Sequence, residues 1–293
     1  MAKPIVPLIV VVGETASGKS ALALELAKKF DGELICADSW TVYKGFDIGT
    51  AKPSMLERAM VPHHLLDVAD PRGGFSAVIF QQLAQAAINA IYRRGKLPIL
   101  VGGTGLYVDS VIYSYGFLSA PPPELREKLN GMQLEQVVEL AKQKGLDTTG
   151  IDTRNKRRVI RLIENKGALP TRKPLRPNTL VLGIQTSRDT LAERIAKRVD
   201  AMLAAGLEFE VGELAKEYGW DAEPMKGVGY KEWREYFEGS ASMEQTSQRI
   251  IKGTLDLAKR QRTWFKRNNS IHWIPTPVNQ QLIDELVTTF LNK

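Results

Sequence analysis

An eight-residue segment near the start of the chain has the sequence of a phosphate-binding loop. Gly13-Glu14-Thr15-Ala16-Ser17-Gly18-Lys19-Ser20 matches the P-loop pattern G-x-x-x-x-G-K-[ST]. In such a loop the backbone N–H groups point at phosphate oxygens, and the Lys19 ammonium contacts the terminal phosphates. The Ser20 hydroxyl can bind Mg²⁺. The segment therefore predicts a site that holds a phosphate chain together with magnesium.

A carboxylate follows the second candidate strand. Asp38 closes an apolar run, Leu34–Ala37, and should lie at the same sheet edge as the P-loop. From there it could bind Mg²⁺ through water, or act as general base on an acceptor lying across the phosphates. A structural role in a turn or a helix cap is the alternative. The mixture of glycine, charged and aromatic residues in Tyr43–Pro53 is typical of a binding loop and favours the functional interpretation.

Another glycine-rich turn, Gly102–Tyr107, follows a third candidate strand, Leu97–Val101. It should face the same crevice, where Thr104 could donate a hydrogen bond to an acceptor base or to a phosphate. A purely structural strand-to-helix turn could have the same sequence. Thr104 is therefore a candidate site residue with a structural alternative.

The elements around these loops alternate between strand and helix. Leu8–Val12 is typical of a strand buried on both faces, and Ala21–Phe30 has apolar residues at helical spacing. A helix at about Ser76–Arg94, an apolar run at Leu180–Ile184 and a helix at about Arg188–Ala205 continue the alternation. We therefore predict an α/β fold, a P-loop NTPase-like core with a parallel sheet flanked by helices.

One long segment interrupts this alternation. Glu124–Asn165 reads as several helices with no candidate strand, and prolines bracket it on both sides. We predict an inserted all-helical domain at residues 117–177. The P-loop catalytic core would then consist of residues 1–116 and 178–293.

The positive charge of the chain is concentrated in two segments. The formal net charge is +7, and residues 154–176 contain nine basic residues and one acidic residue. Residues 259–267 contain five basic residues and no acidic one. Clusters of this kind are expected where a polyanion binds, although solvated helix faces can also be basic.

The rest of the composition limits the class of protein. Cys36 is the only cysteine, which excludes an internal disulfide and is typical of a reducing cytoplasm. The longest apolar run, Ile5–Val12, is too short to span a bilayer and lacks the features of a signal peptide. His63 and His64 are adjacent and have no evident third ligand, so we expect them to anchor a loop. We expect a cytoplasmic protein without membrane association.

Five segments beyond the P-loop share the patterns of one family, in order and at similar spacing, within a resemblance that runs from Pro7 to about Lys266. They are DSWTVYKGFDIGTAKP (Asp38–Pro53), VPHHLLDVADP (Val61–Pro71), VGGTGLYVDSVIY (Val101–Tyr113), KGVGYKE (Lys226–Glu232) and DLAKRQRTWFK (Asp256–Lys266). In these segments the chain resembles the tRNA dimethylallyltransferases, also called tRNA isopentenyltransferases or the IPP transferase family.

The resemblance implies a prenyl transferase. Members of the family transfer a dimethylallyl group from dimethylallyl diphosphate to N6 of the adenosine at tRNA position 37, next to the anticodon. Their P-loop holds pyrophosphate, although it is the type of loop that binds ATP in other nucleotide-binding proteins. The implied cofactor is Mg²⁺, and the implied partner is the tRNA anticodon stem-loop, bound in part by the helical insert. A single-chain core with an insert needs no partner subunit, so we expect a monomer.

The same resemblance implies roles for individual residues. Asp38 would be the general base on the adenine amine, and Thr104 would lie near the reacting centre. The residues implied to contact tRNA are Asp38, Ser39, Trp40, Thr41, Thr104, Arg126, Arg157, Arg158 and Arg161. Those implied on the diphosphate, besides the P-loop, are Lys226, Arg194 and Arg198, although the last two could instead face solvent.

Two departures from the family pattern fall at the phosphate site. Glu14 stands where relatives commonly have proline, and it adds an acid that could weaken pyrophosphate binding. Lys226 stands where relatives often have arginine, so a point charge replaces a bidentate group. Trp40 also departs from the pattern and could be a stacking platform for the acceptor base.

Three other classes of protein share some of these features. A nucleotide or small-molecule kinase would use the same P-loop and magnesium, but would need no basic helical insert. An isopentenyltransferase acting on free adenine nucleotides would share the core. A non-catalytic RNA-binding P-loop switch would leave Asp38 and Thr104 unexplained.

Overall fold

A computed structural model describes residues 5–118 and 123–292. The chain divides into two compact units, one formed by the residues up to Ile112 and from Leu175 onward, the other by Tyr113–Pro174. None of the helices in the described parts of the chain is both long enough and apolar enough to cross a membrane.

The larger unit is built on a six-stranded, fully parallel sheet with the order β3-β2-β4-β1-β5-β6. Every residue of the two central strands, β1 and β4, is buried, so both faces of the sheet are covered. This arrangement confirms the predicted α/β class. The strands are β1 Leu8–Gly13, β2 Gly32–Cys36, β3 His63–His64, β4 Leu97–Gly102, β5 Thr179–Gln185 and β6 Ile271–Pro275.

Two large apolar cores hold most of the helices of this unit. One core joins the sheet to the first and last helices through residues such as Val11, Leu26 and Val287. The other holds Phe46, Tyr230 and neighbouring side chains, and it fixes the loop after β2. The helices are α1 Lys19–Lys29, α2 Met55–Met60, α3 Ala77–Arg93, α4 Gly105–Ile112, α8 Arg188–Ala204, α9 Leu207–Tyr218, α10 Arg234–Phe237, α11 Met243–Phe265 and α12 Gln280–Leu291.

The smaller unit is helical in its described residues. Its helices are α5 Pro123–Gly131, α6 Leu134–Gln143 and α7 Lys156–Glu164. They enclose a core of their own that includes Leu129, Val137 and Val159. The apolar residues of the short helix α7 therefore face inward, which leaves its basic residues on the outer side.

Two of the six strands were not expected from the sequence. β6 has only two buried residues among its five, and β3 has only two residues, so neither has the continuous apolar run of a central strand. The expectation that His63 and His64 anchor a loop was therefore wrong, because they pair with β2 at the sheet edge. His64 Nε2 lies 2.6 Å from Glu33 Oε2, and the described residues contain no cluster of three or more potential metal ligands of the His, Cys, Asp and Glu types.

The junction of β2 and β4 leaves no room for a side chain at Gly102. A Cβ atom there would lie 2.0 Å from the carbonyl oxygen of Ala37, and that oxygen also accepts the Thr104 N–H at 3.2 Å. We expect Gly102→Ala to lower the free energy of unfolding by more than about 3 kcal/mol, because the sheet backbone must move. Gly74→Ala, at an open position, is the matched control. Urea denaturation of both variants tests this, and equal stability would contradict it.

Candidate active site

A narrow cavity of about 70 Å³ lies beside the carboxyl ends of β1 and β2. It brings together the P-loop, the loop after β2, and the helices α8 and α11. Ligands of open parallel sheets bind at this edge. Its polar lining residues are Thr15, Lys19, Asp38, Thr50, Arg198, Thr254 and Gln261.

The P-loop places its lysine at this cavity. Burial lowers the pKa of the Lys19 ammonium to about 8; the nearby Arg198 adds to this effect, whereas Asp38 and Glu14 oppose it. Lys19 Nζ donates a hydrogen bond to the carbonyl oxygen of Glu14 at 3.3 Å. Ser20 is exposed at the first turn of α1, and the Ser17 Oγ is buried without a hydrogen-bond partner among the described residues. A partly desolvated ammonium of this kind is suited to an anionic ligand that restores its charge balance.

Two arginines of α8 lie against the P-loop rather than facing only solvent. Arg198 Nη1 donates to Thr15 Oγ1 at 3.2 Å, and burial lowers the pKa of the Arg198 guanidinium. Arg194 Nη1 donates to the carbonyl oxygen of Ser17 at 3.1 Å. Of the two, Arg198 lines the cavity. A contact of either side chain with a phosphate chain stays a prediction.

Asp38 lines the same cavity as the P-loop residues Thr15 and Lys19, and its carboxylate is fixed by backbone contacts. Asp38 Oδ1 accepts hydrogen bonds from the N–H groups of Trp40 at 2.9 Å and Thr41 at 3.4 Å. Its Oδ2 has no hydrogen bond to any residue that the structure describes. A carboxylate oriented in this way presents one oxygen to a ligand that enters the cavity.

Thr104 is hydrogen-bonded to the segment that carries Asp38. Thr104 Oγ1 accepts the N–H of Ser39 at 3.0 Å and lies 3.3 Å from Ser39 Oγ. Thr104 does not line the cavity itself. In this structure the threonine therefore orders the Asp38 loop, and a direct contact with substrate stays a prediction.

Part of the cavity lining is apolar. It consists of aliphatic side chains from α8, from the segment before α10 and from α11, which can shelter a small hydrocarbon group next to the charged end. The residues of this apolar part are Ile195, Val199, Met202, Val228, Ile250 and Leu257.

Trp40 and Lys226 occupy different environments. The Trp40 ring lines the cavity and lies 3.2 Å from the position that a Cβ atom of Gly227 would take, so one face of the ring is packed. Lys226 is exposed, does not line the cavity, and has its Nζ 3.5 Å from Glu223 Oε2. A diphosphate contact by Lys226 therefore requires movement of the side chain or of a ligand beyond this cavity.

The arginines predicted to contact tRNA lie in the helical unit. Arg157 and Arg158 are exposed on α7, whereas Arg161 is partly buried. Arg126 and Arg161 both form ion pairs with Glu164, whose side chain is fully buried. Of the three arginines on α7, Arg157 and Arg158 are therefore more exposed to solvent than Arg161.

Helix α11 holds the P-loop through two neighbouring side chains that the sequence did not indicate individually. Gln261 Oε1 accepts the N–H of Thr15 at 2.7 Å. Arg262 Nε and Nη2 donate to Glu14 Oε1 and Oε2 at 2.6 and 2.9 Å. Both residues belong to the KRQRTWFK segment, which its positive charge and the family resemblance distinguish in the sequence. A polar residue among the positive charges of an amphipathic helix was the available signal.

A single carboxylate orders the binding loop after β2. Glu210 of α9 accepts the N–H groups of Asp47, Ile48 and Gly49 at 3.2, 2.7 and 3.1 Å, and the Tyr230 hydroxyl at 2.7 Å. Gly49 and the next residue line the cavity. The loop therefore depends on a partner far away in sequence.

We expect Glu210→Ala to loosen this loop, because three backbone N–H groups lose their acceptor. Hydrogen–deuterium exchange of residues 47–49 should become at least about tenfold faster, while the strands keep their protection. Glu213→Ala, on the exposed side of α9, is the matched control. Unchanged exchange in the Glu210 variant would contradict the assigned role.

Comparison with known proteins identifies the family. The model of the IPP transferase family matches residues 41–268. The chain is 40% identical to a tRNA dimethylallyltransferase of Staphylococcus epidermidis, over all of this chain and 93% of the relative. The chain belongs to the IPP transferase family.

Solved structures of this family have the same fold. A full-length tRNA isopentenylpyrophosphate transferase from Bacillus halodurans has a TM-score of 0.75 and 35% identity, covering 98% of this chain and 95% of that one. A eukaryotic dimethylallyltransferase acting on tRNA has a TM-score of 0.81 and 25% identity, covering 98% and 80%. The matches include both the sheet and the helical segment of this IPP transferase.

Proposed function

We propose that this protein transfers a dimethylallyl group from dimethylallyl diphosphate to N6 of the adenosine next to the anticodon of tRNA, and releases pyrophosphate. One observation carries the proposal beyond family membership. The cavity combines a desolvated ammonium, Lys19, with a fixed carboxylate, Asp38, and aliphatic lining residues. These three features fit the leaving diphosphate, the acceptor amine and the prenyl group of such a reaction.

In the proposed reaction the bond between the prenyl C1 and the diphosphate oxygen breaks as the adenine N6 forms a bond to C1. Negative charge grows on the leaving diphosphate, where Lys19, Arg198 and the backbone N–H groups of the P-loop stabilise it. Asp38 accepts the proton that N6 loses. Thr104 keeps the Asp38 segment in place through Ser39.

The residues present fit a magnesium ion that is held mainly by the substrate. The described residues offer no cluster of three acidic or histidine side chains, as a metal cage made only of protein groups would require. Mg²⁺ commonly keeps water and phosphate ligands, with few ligands from the protein. We propose that the Ser20 hydroxyl supplies one ligand. Bound Mg²⁺ would neutralise charge on the diphosphate.

A tRNA acceptor is favoured over a free adenine nucleotide by the basic helical unit. Arg157 and Arg158 are exposed on one helix, where they can contact the phosphates of a stem-loop. An adenine of the loop must leave its stack to enter a cavity as narrow as this one. The accessible part of the proposed tRNA surface is thus α7. We also propose that the enzyme is monomeric and cytoplasmic.

Release of pyrophosphate with different pairs of substrates distinguishes the candidate functions. We expect release from dimethylallyl diphosphate only when tRNA with adenosine next to the anticodon is present. Release with adenosine monophosphate in place of tRNA would indicate an enzyme of free nucleotides. Transfer of phosphate from ATP, with no reaction of dimethylallyl diphosphate, would indicate a kinase and overturn the proposal.

A further inference from the structure

The P-loop of this chain contains an acid at a position next to its own phosphate site. Glu14 is the second residue of the loop, and its carbonyl oxygen accepts a hydrogen bond from Lys19 Nζ at 3.3 Å. Its side chain is only 6% exposed. The Glu14 carboxylate interacts electrostatically with the Lys19 ammonium, so it would also repel an incoming diphosphate unless a partner neutralised it.

The partner of Glu14 lies 248 positions later in the sequence, on α11. Arg262 meets both carboxylate oxygens of Glu14 in a bidentate ion pair, and its own side chain is 24% exposed. Arg262 Nη2 also donates to the carbonyl oxygen of Thr186 at 3.3 Å, just after β5. Planar guanidinium–carboxylate pairs of this geometry are stronger and more directional than simple charge contacts.

The Glu14–Arg262 pair borders two cavities, with volumes of about 360 and 400 Å³. Both share Arg188 and Lys266 as lining residues in addition to the pair itself. The surroundings of the pair are therefore basic, and Glu14 is the acidic group of both linings. Among these lining residues, Arg262 is the one that forms the ion pair with the Glu14 carboxylate.

We propose that Arg262 is a positioning residue for diphosphate recognition, which cancels the charge of Glu14 and turns its side chain away from the phosphate site. The inference rests on the proposed function, because it takes a prenyl diphosphate as the ligand of the P-loop. Glu14 and Arg262 then act as one unit. An acid in the P-loop is tolerated because α11 supplies the matching guanidinium.

A double-mutant cycle tests the proposal through the affinity for magnesium pyrophosphate, measured by titration calorimetry. Arg262→Met leaves Glu14 charged, so its Kd should rise by about tenfold or more. Glu14→Gln should bind several-fold more tightly than the wild type, because Arg262 then adds an unpaired positive charge. The double variant should return to within about threefold of the wild type, as expected of coupled neighbours.

Steady-state kinetics give the second readout. In Arg262→Met the KM for dimethylallyl diphosphate should rise, while the KM for tRNA and the kcat at saturating donor change little. Lys252→Met, an exposed position on the same helix, is the matched control for loss of a positive charge. If Arg262→Met does not fold, Arg262→Lys is measured instead, alone and combined with Glu14→Gln. Arg262→Lys should show an intermediate loss of pyrophosphate affinity, and Glu14→Gln should rescue it in the same way.

A double variant as weak as Arg262→Met would overturn the proposal, since it would show that Arg262 only supports the helix packing. An unchanged pyrophosphate Kd in Arg262→Met would overturn it as well. Failure of the proposed function has a different signature, because the wild-type protein itself would then transfer no dimethylallyl group to tRNA, whatever the double-mutant cycle shows for pyrophosphate affinity.

Discussion

Asp38→Asn is expected to lower kcat for prenyl transfer by about 10²–10⁴-fold, because the asparagine amide cannot accept the proton from adenine N6. The variant keeps the size of the side chain, and an amide oxygen can still accept the N–H groups of Trp40 and Thr41. The affinity for dimethylallyl diphosphate should therefore change little. Single-turnover transfer to tRNA, with both substrates saturating, measures the chemical step directly.

The matched control for this variant is Asp256→Asn, which changes an exposed aspartate on α11. It should retain the wild-type rate. If Asp38→Asn also retained the rate within a few-fold, Asp38 would have to be reassigned as a structural residue of the loop after β2. A loss that appeared only in the KM for tRNA would indicate an acceptor contact without proton transfer.

Lys19→Met is expected to lower kcat/KM for dimethylallyl diphosphate by about 10²–10³-fold, since the developing charge on the leaving group loses its nearest ammonium. Lys19 lies at the cavity, and burial has already lowered its pKa to about 8. A water molecule that took the place of the Lys19 ammonium would carry no positive charge. The affinity for pyrophosphate should fall in parallel with kcat/KM, because the same group binds the product.

Lys28→Met is the matched control, because Lys28 lies on the same helix α1 but its side chain is 40% exposed. It should leave both quantities unchanged. Wild-type pyrophosphate affinity in Lys19→Met would show that the diphosphate does not sit on the P-loop. The apolar lining residues of the cavity would then need an explanation that does not include a diphosphate bound beside them.

The sequence predicted the parts of the site that depend on local pattern. A P-loop has a fixed spacing of glycine, lysine and serine, so the residue types alone identify Lys19. Asp38 could be placed because parallel strands end at one edge of a sheet. Both predictions depend on short buried strands: β1 precedes the P-loop and β2 precedes Asp38, and every residue of both strands is buried.

Contacts between distant segments could not be predicted in the same way. Glu210 binds backbone N–H groups more than 160 residues away, and the Glu14–Arg262 pair spans 248 positions. No periodicity in the sequence encodes such pairs, because the turns between them decide which side chains meet. Glu14 indicated an added acid that could weaken pyrophosphate binding, and no pattern in the sequence indicated Arg262 as its partner.

The arginines of the helical unit show the same limit. Four are grouped by a resemblance and by positive charge, which do not separate a surface cation from a cation with a buried partner. Glu164 accepts both Arg126 and Arg161, while Arg157 and Arg158 are exposed. The structure therefore distinguishes these arginines by their exposure and ion pairs, whereas the sequence could only place all four in one group.

The measurement that tests the central claim most directly is nucleoside analysis by mass spectrometry. The purified protein is incubated with Mg²⁺, dimethylallyl diphosphate and unmodified tRNA that has adenosine next to its anticodon, and the tRNA is then digested. We predict N6-dimethylallyladenosine at that single position, and its absence with Asp38→Asn over the same time. Unmodified tRNA after incubation with wild-type protein that binds both substrates would contradict the proposed function.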